Sequence, residues 1–151
     1  MPQDVRVMND GMTFLVADNN KGGVHVVDGE RFEVVDFIVT GAGAHGIYPT
    51  RDTKGMYVSN RIGGSVSVID QATRQVIHTY RIPGGGSPDM GSVSADGRVL
   101  WLSGRYHNVV YAIDVVEWNL LARIPVGTTP HGLTFFPQPG RYSLGHTGNY
   151  R

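Results

Sequence analysis

Residues 56–70 read Met56-Tyr57-Val58-Ser59-Asn60, Arg61-Ile62-Gly63-Gly64, Ser65-Val66-Ser67-Val68-Ile69-Asp70. Two stretches of alternating character are joined by a glycine turn, the pattern of a β-hairpin. Period-two alternation puts Val66 and Val68 on one face and Ser67 on the other. The second stretch recurs as Val24-His25-Val26-Val27-Asp28 and as Val110-Tyr111-Ala112-Ile113-Asp114, and the closing Asp residues are 42 and 44 positions apart. The first stretch recurs as Phe14-Leu15-Val16-Ala17-Asp18 and Leu100-Trp101-Leu102-Ser103-Gly104, with the same two spacings. Downstream, Gly41, Gly84 and Gly127 follow one another every 43 residues. The chain is a tandem repeat.

Each unit reads as four short strands, a to d. Turn signals separate them, among them Asn9-Asp10-Gly11, Lys21-Gly22-Gly23, Gly63-Gly64-Ser65 and Ala95-Asp96-Gly97. Such residues supply positive φ or local side-chain hydrogen bonds. Asp28, Asp70 and Asp114 each end a c strand, where a carboxylate accepts backbone N–H bonds from the turn that follows. A four-stranded unit of about 43 residues, repeated, is the pattern of a β-propeller. The expected fold is therefore all-β, with four-stranded antiparallel blades and no helix of consequence.

These residues also resemble a known family. Met56–Asn60, Gly64–Asp70, Thr73 and Val76 are similar to the YVTN-type β-propeller repeat, and Gly127-Thr128-Thr129-Pro130-His131-Gly132-Leu133 is similar to its blade junction. The likeness is strongest over 44–86 and weakest over 5–43, where the junction motif is absent. Ser59 stands where the family has Thr, and Asp18 and Gly104 where it has Asn. The resemblance implies a propeller of the surface-layer-like, periplasmic or secreted kind, related to lactonase and haem-binding propellers. It implies a location outside the cytoplasm, at the cell surface, in the periplasm or secreted.

Composition narrows the function. Thirteen Lys and Arg balance thirteen Asp and Glu over 151 residues, so the electrostatic footprint of a nucleic-acid binder is missing. With no Cys, a disulfide framework, a thiolate metal site and a cysteine nucleophile are excluded. No apolar run reaches the ~18 residues of a membrane span, and the first residues lack the pattern of a signal peptide. Gly accounts for 21 residues, about twice the usual ~7%, which suits many tight turns. No G-x-S-x-G, H-E-x-x-H or phosphate-loop motif occurs.

Counting strands gives repeat 1 over about 5–43, repeat 2 over 44–86, repeat 3 over 87–129 and a half blade over 130–151. Residues His131–Phe136 would supply its strand a and Arg141–Gly145 its strand b. Closed propellers have four to eight blades, and the chain encodes about three and a half. Two expectations follow: N-terminal blades of a longer protein close the ring, or two copies close it as a homodimer. The first is favoured.

In such blades the d–a and b–c connections emerge on one end of the ring, where loops on a rigid scaffold carry binding residues. His45, Met90 and His131 each stand directly before a Gly at the start of strand a. Imidazole and thioether suit copper or haem iron. Two His without a visible carboxylate second shell favour plain channel-mouth residues over metal ligands. Asp89 is the one carboxylate on this side and the best partner for hydrolysis or metal chemistry. The b–c loops add Arg61, Arg105, Tyr106, His107 and His146, with Asn19 as the first-repeat equivalent. Arg61 and Arg105 hold matching positions, and a guanidinium suits carboxylates and phosphates. Trp101, Tyr57 and Tyr142 are expected between blades, Trp118 at a c–d turn, and His25 and His78 as scaffold residues.

The leading expectation is a binding or scaffold propeller that engages a protein or small ligand on this face, without a cofactor. The alternative is a metal- or haem-associated oxidoreductase or lactonase-like propeller, with His45, His131 and Asp89 at the channel mouth.

Overall fold

A computed structural model describes residues 1–135. Twelve strands form three antiparallel sheets, each in simple sequence order. Blade 1 is β1 (Pro2–Val7), β2 (Thr13–Asp18), β3 (Gly23–Asp28) and β4 (Glu33–Val39). Blade 2 is β5 (Ala44–Pro49), β6 (Gly55–Asn60), β7 (Ser65–Asp70) and β8 (Gln75–Arg81). Blade 3 is β9 (Pro88–Val93), β10 (Val99–Gly104), β11 (Val109–Asp114) and β12 (Asn119–Pro125). No helix occurs among the described residues. The first blade begins at Pro2 rather than near residue 5. Of the expected half blade, residues 130–135 carry no strand, and the remainder, with the expected strand b at 141–145, lies outside the described residues.

Alternation along the strands decides how the blades stack. Val24 and Val26 pack with Leu15 and Ala17 of blade 1 against Ile47, Met56, Val58 and Ile69 of blade 2. The opposite face of blade 2 puts Val66, Val68, Tyr48 and Tyr57 against Leu100, Leu102, Tyr111 and Ile113 of blade 3. One repeat thus presents two apolar faces, and blade 2 buries both. Each fully buried Leu, Ile or Val contributes about 1.5–3 kcal/mol. The outer strands have no such cover, and Val34 and Ile77 are exposed.

Turn chemistry works as the carboxylates suggested. Asp28 accepts from the amides of Glu30 and Arg31, Asp70 from that of Thr73, and Asp114 from those of Val116 and Glu117. These turns close with Phe32, Arg74 and Trp118 at φ of 56°, 58° and 55°. Three non-glycine residues in the left-handed region at matched positions mark one turn geometry used three times.

Candidate functional site

The d–a and b–c connections meet on one end of the sheets, as the alternation implied. The Thr40 and Gly41 amides donate to the Gly22 carbonyl, that of Arg61 to Gly43, and that of Arg105 to Ser87. Strand a of each blade starts beneath this loop cluster.

His45 and Asp89 are the second residues of β5 and β9. Their equivalence is fixed by the residue that follows each. The Gly46 amide donates to Ser59 Oγ at 2.8 Å, and the Met90 amide donates to Ser103 Oγ at 3.2 Å. Each serine then reaches across to the next repeat, Ser59 Oγ donating to the Asp89 carbonyl at 2.7 Å and Ser103 Oγ to the His131 carbonyl. His45, Asp89 and His131 therefore hold one structural position in three successive repeats. Aligning each residue that precedes a glycine groups Met90 with the two histidines instead. The ladders correct this, because Gly91 pairs with Leu102 just as Ile47 pairs with Val58. The junction before β9 is also longer than the one before β5 (82–87 against 40–43). Met90 is buried one position further along.

Gly46 is required by close approach. A Cβ there would lie 2.0 Å from Tyr48 Oη and 3.0 Å from the Asp89 carbonyl oxygen. Tyr48 Oη in turn accepts the Gly91 amide at 2.8 Å and donates to the Asp89 carbonyl at 3.4 Å. Burial, reinforced by the charge of Asp4, raises the Tyr48 phenol, so this hydroxyl stays protonated. Blade 2 thereby holds the backbone of Asp89 from two sides.

Four side chains converge on the Asp89 carboxylate, which is fully enclosed. Arg61 Nη1 donates to Oδ1 at 3.3 Å. His45 Nδ1 lies 3.0 Å from Oδ1, Arg105 Nη1 3.5 Å from Oδ2, and His131 Nε2 3.9 Å from Oδ2. The last three are close approaches without hydrogen-bond alignment. His45 Nδ1 and Asp89 Oδ2 are buried atoms with no hydrogen-bond partner among the described residues. Burial alone would raise the Asp89 carboxyl, but His45, Arg61 and His131 together outweigh it and hold the group below the usual value. Burial lowers the His131 imidazole, with Arg105, His45 and Arg61 acting in the same sense and Asp89 against them. Two guanidinium groups against one carboxylate leave a positive excess at the site.

His45, Asp89 and His131 each offer one metal-ligating atom, and these atoms lie within 4.8 Å of one another. The His45 and His131 rings meet edge-on at 5.9 Å between centroids. Three donors closing on one point fit a single ion.

Other expected residues fall elsewhere. His107 Nδ1 is 2.8 Å from Ser87 Oγ, which also accepts the Tyr106 amide, so this imidazole braces the b–c loop of blade 3. Tyr106 lies beneath the Arg61 guanidinium, 5.5 Å from its ring centroid. Asn19 is buried in blade 1 and lines an open groove of about 540 Å³ with Lys21, Val39, Ala42 and Ile62. Lys21 is the single charged lining residue described there. Trp118 packs on His78 and Tyr80 and joins blade 3 to blade 2. His146 and Tyr142 lie outside the described residues.

Sequence reasoning missed Asp4 and Arg6. Both are enclosed in β1, with Arg6 Nη1 donating to Asp4 Oδ1 at 2.7 Å and the Ile47 amide donating to Asp4 Oδ2 at 2.9 Å. Burial raises the Asp4 carboxyl despite Arg6. The first repeat lacks the junction motif, so no pattern marked them. Ser59 and Ser103 stand one position before the end of strand b in consecutive repeats, and that matched placement is the sequence signal for them.

Sheets of this order and stacking define a β-propeller segment. A family model described as YNCE-like beta-propeller matches residues 1–140, and the chain belongs to that family. No curated protein matches it. Among solved structures, hydrazine synthase of Kuenenia stuttgartiensis superposes with a TM-score of 0.73 at 23% identity, covering 87% of this chain and 38% of that one. Dihydro-heme d1 dehydrogenase NirN, in complex with DHE, gives 0.68 at 18% identity over 87% and 30%. The Cps50 (Swd1) β-propeller domain of Myceliophteria thermophila gives 0.69 at 13% identity over 88% and 46%. The chain spans less than half the length of each of these chains, and the likeness is one of fold.

Proposed function

We propose that this propeller segment is a binding module that takes a small anionic molecule at the channel mouth. One observation carries the reading: Arg61 and Arg105, from matching positions on consecutive blades, converge on a single carboxylate and leave positive charge in excess. Arg61 is buried and bonded, whereas Arg105 is a third exposed and can reach a ligand. A guanidinium fork pairs well with a carboxylate or phosphate. His131, half exposed on the same side, adds a donor. The resemblance to exported propellers supports a place of action outside the cytoplasm.

The test is calorimetric titration of the full chain with inorganic phosphate and with citrate. Saturable binding of either, weakened at least about tenfold by Arg105→Ala, is the expected result. No binding of either anion, or binding untouched by Arg105→Ala, overturns the reading.

A further inference from the structure

We infer that His45, Asp89 and His131 bind one divalent transition-metal ion, and that Arg105 then holds an anionic co-ligand beside it. This deepens the channel-mouth reading above and rests on it for the co-ligand.

The donors are brought together by the repeat itself. One structural position in three successive repeats carries imidazole, carboxylate and imidazole, and the ligating atoms gather within 4.8 Å. Metal–ligand bonds to such groups are about 2.0–2.2 Å long, so modest side-chain rotations close the set around one ion. Two nitrogens and one carboxylate oxygen suit Zn(II), Fe(II) or Co(II), whereas Ca(II) takes six to eight oxygens.

A second, independent observation points to a missing partner. Asp89 Oδ2 and His45 Nδ1 are both buried and make no aligned hydrogen bond among the described residues, although His45 Nδ1 lies 3.0 Å from Oδ1 and Oδ2 has the longer contacts from Arg105 and His131. Buried polar atoms are nearly always satisfied, and two orphans within one cluster ask for a common ligand. The opposite carboxylate oxygen is already engaged by Arg61, which orients Asp89 as outer partners orient metal ligands. Ser59 and Tyr48 fix its backbone.

Charge sets a condition on binding. The ion adds two positive charges to a site that already holds Arg61 and Arg105. It displaces the unaligned contact between Arg105 and Oδ2, 3.5 Å long, and leaves that guanidinium facing the open side. An anion bound there offsets the charge, so metal and anion strengthen each other's binding by linkage.

The experiment uses the full chain, stripped with chelator and dialysed. Co(II) is titrated while its visible absorption is followed, and Zn(II) content is measured after equilibration, each with and without phosphate. One ion per chain is expected, bound more tightly with phosphate present. His131→Ala and Asp89→Asn should each weaken Co(II) binding at least tenfold, and His25→Ala should leave it unchanged. His131 is half exposed, so its variant tests the site even if the Asp89 variant fails to fold. Thermal melts verify folding. No stoichiometric ion, or binding indifferent to His131→Ala, overturns the inference. If no ion binds while phosphate still binds in a manner that needs Arg105, the anion reading stands and the metal falls. Metal bound without any effect of phosphate would overturn the co-ligand role of Arg105.

Discussion

Ser59 Oγ, at the end of strand b in blade 2, donates 2.7 Å to the backbone carbonyl of Asp89 in blade 3. The same hydroxyl accepts the Gly46 amide at 2.8 Å. One small side chain ties His45's neighbour to the carboxylate residue and fixes the distance between two blades at the site. Ser59→Ala strands the buried Gly46 amide and leaves the Asp89 carbonyl only the longer bond from Tyr48 Oη. A loss of about 1–3 kcal/mol in urea denaturation is expected, with weaker phosphate binding in calorimetry.

Asp89 is the counter-charge of Arg61, and both are buried. Removing the carboxylate alone leaves a guanidinium enclosed without compensation, which costs about 3–5 kcal/mol. Asp89→Asn should show that loss, and adding Arg61→Gln should recover part of it. A double-mutant cycle by chemical denaturation measures the coupling. Strict additivity would show that the pair is not what matters.

Gly46→Ala places a methyl group 2.0 Å from Tyr48 Oη. The phenol must move, and its bond to the Gly91 amide goes with it. Overpacking of this kind costs about 1–3 kcal/mol. The thermal midpoint should fall, and Tyr48→Phe in the same background should recover part of the loss by removing the clashing oxygen.

The c–d turns should contribute to acid sensitivity alongside Asp10, Asp18, Asp52, Asp89 and Asp96, whose carboxyls are lowered as well. Asp28, Asp70 and Asp114 all lie below the usual carboxylate value because the turn amides of Arg31, Thr73 and Glu117 donate to the charged form. Their contribution is complete above the ordinary value of 3.8 and is lost as pH falls through the lower folded values. Asp4 acts in the opposite sense, since its carboxyl is raised and protonation favours the fold. Melts from about pH 5 to about pH 2 should show a midpoint that falls below about pH 4. The triple Asp→Asn variant should make that fall shallower, and an unchanged curve would place the sensitivity wholly in the other lowered carboxylates.

Much of the fold was legible because a propeller blade is local chemistry repeated. Alternating Val and Ile in β3 and β7, Asp at the end of each c strand, and Gly in the b–c turns act within a few residues of themselves. Their spacing survives in the chain as a period. The matching placement of Arg61 and Arg105 was legible for the same reason, since both directly follow strand b. The equivalence of Asp89 with His45 and His131 was not. It depends on ladder register, which a longer junction before β9 separates from the pattern of glycines.

The sequence by itself determined the strands, the turns and the two-faced character of each blade, because hydrophobic alternation and turn chemistry are short-range. Tertiary structure alone decided that Asp89 stands between two histidines and two arginines, that Ser59 and Tyr48 hold it, and that Asp4 and Arg6 are enclosed beside them. The hydrogen bonds among them join residues 28 to 43 positions apart across neighbouring blades. Stacking is set by the packing of whole faces, and no local pattern encodes which polar side chains it brings together.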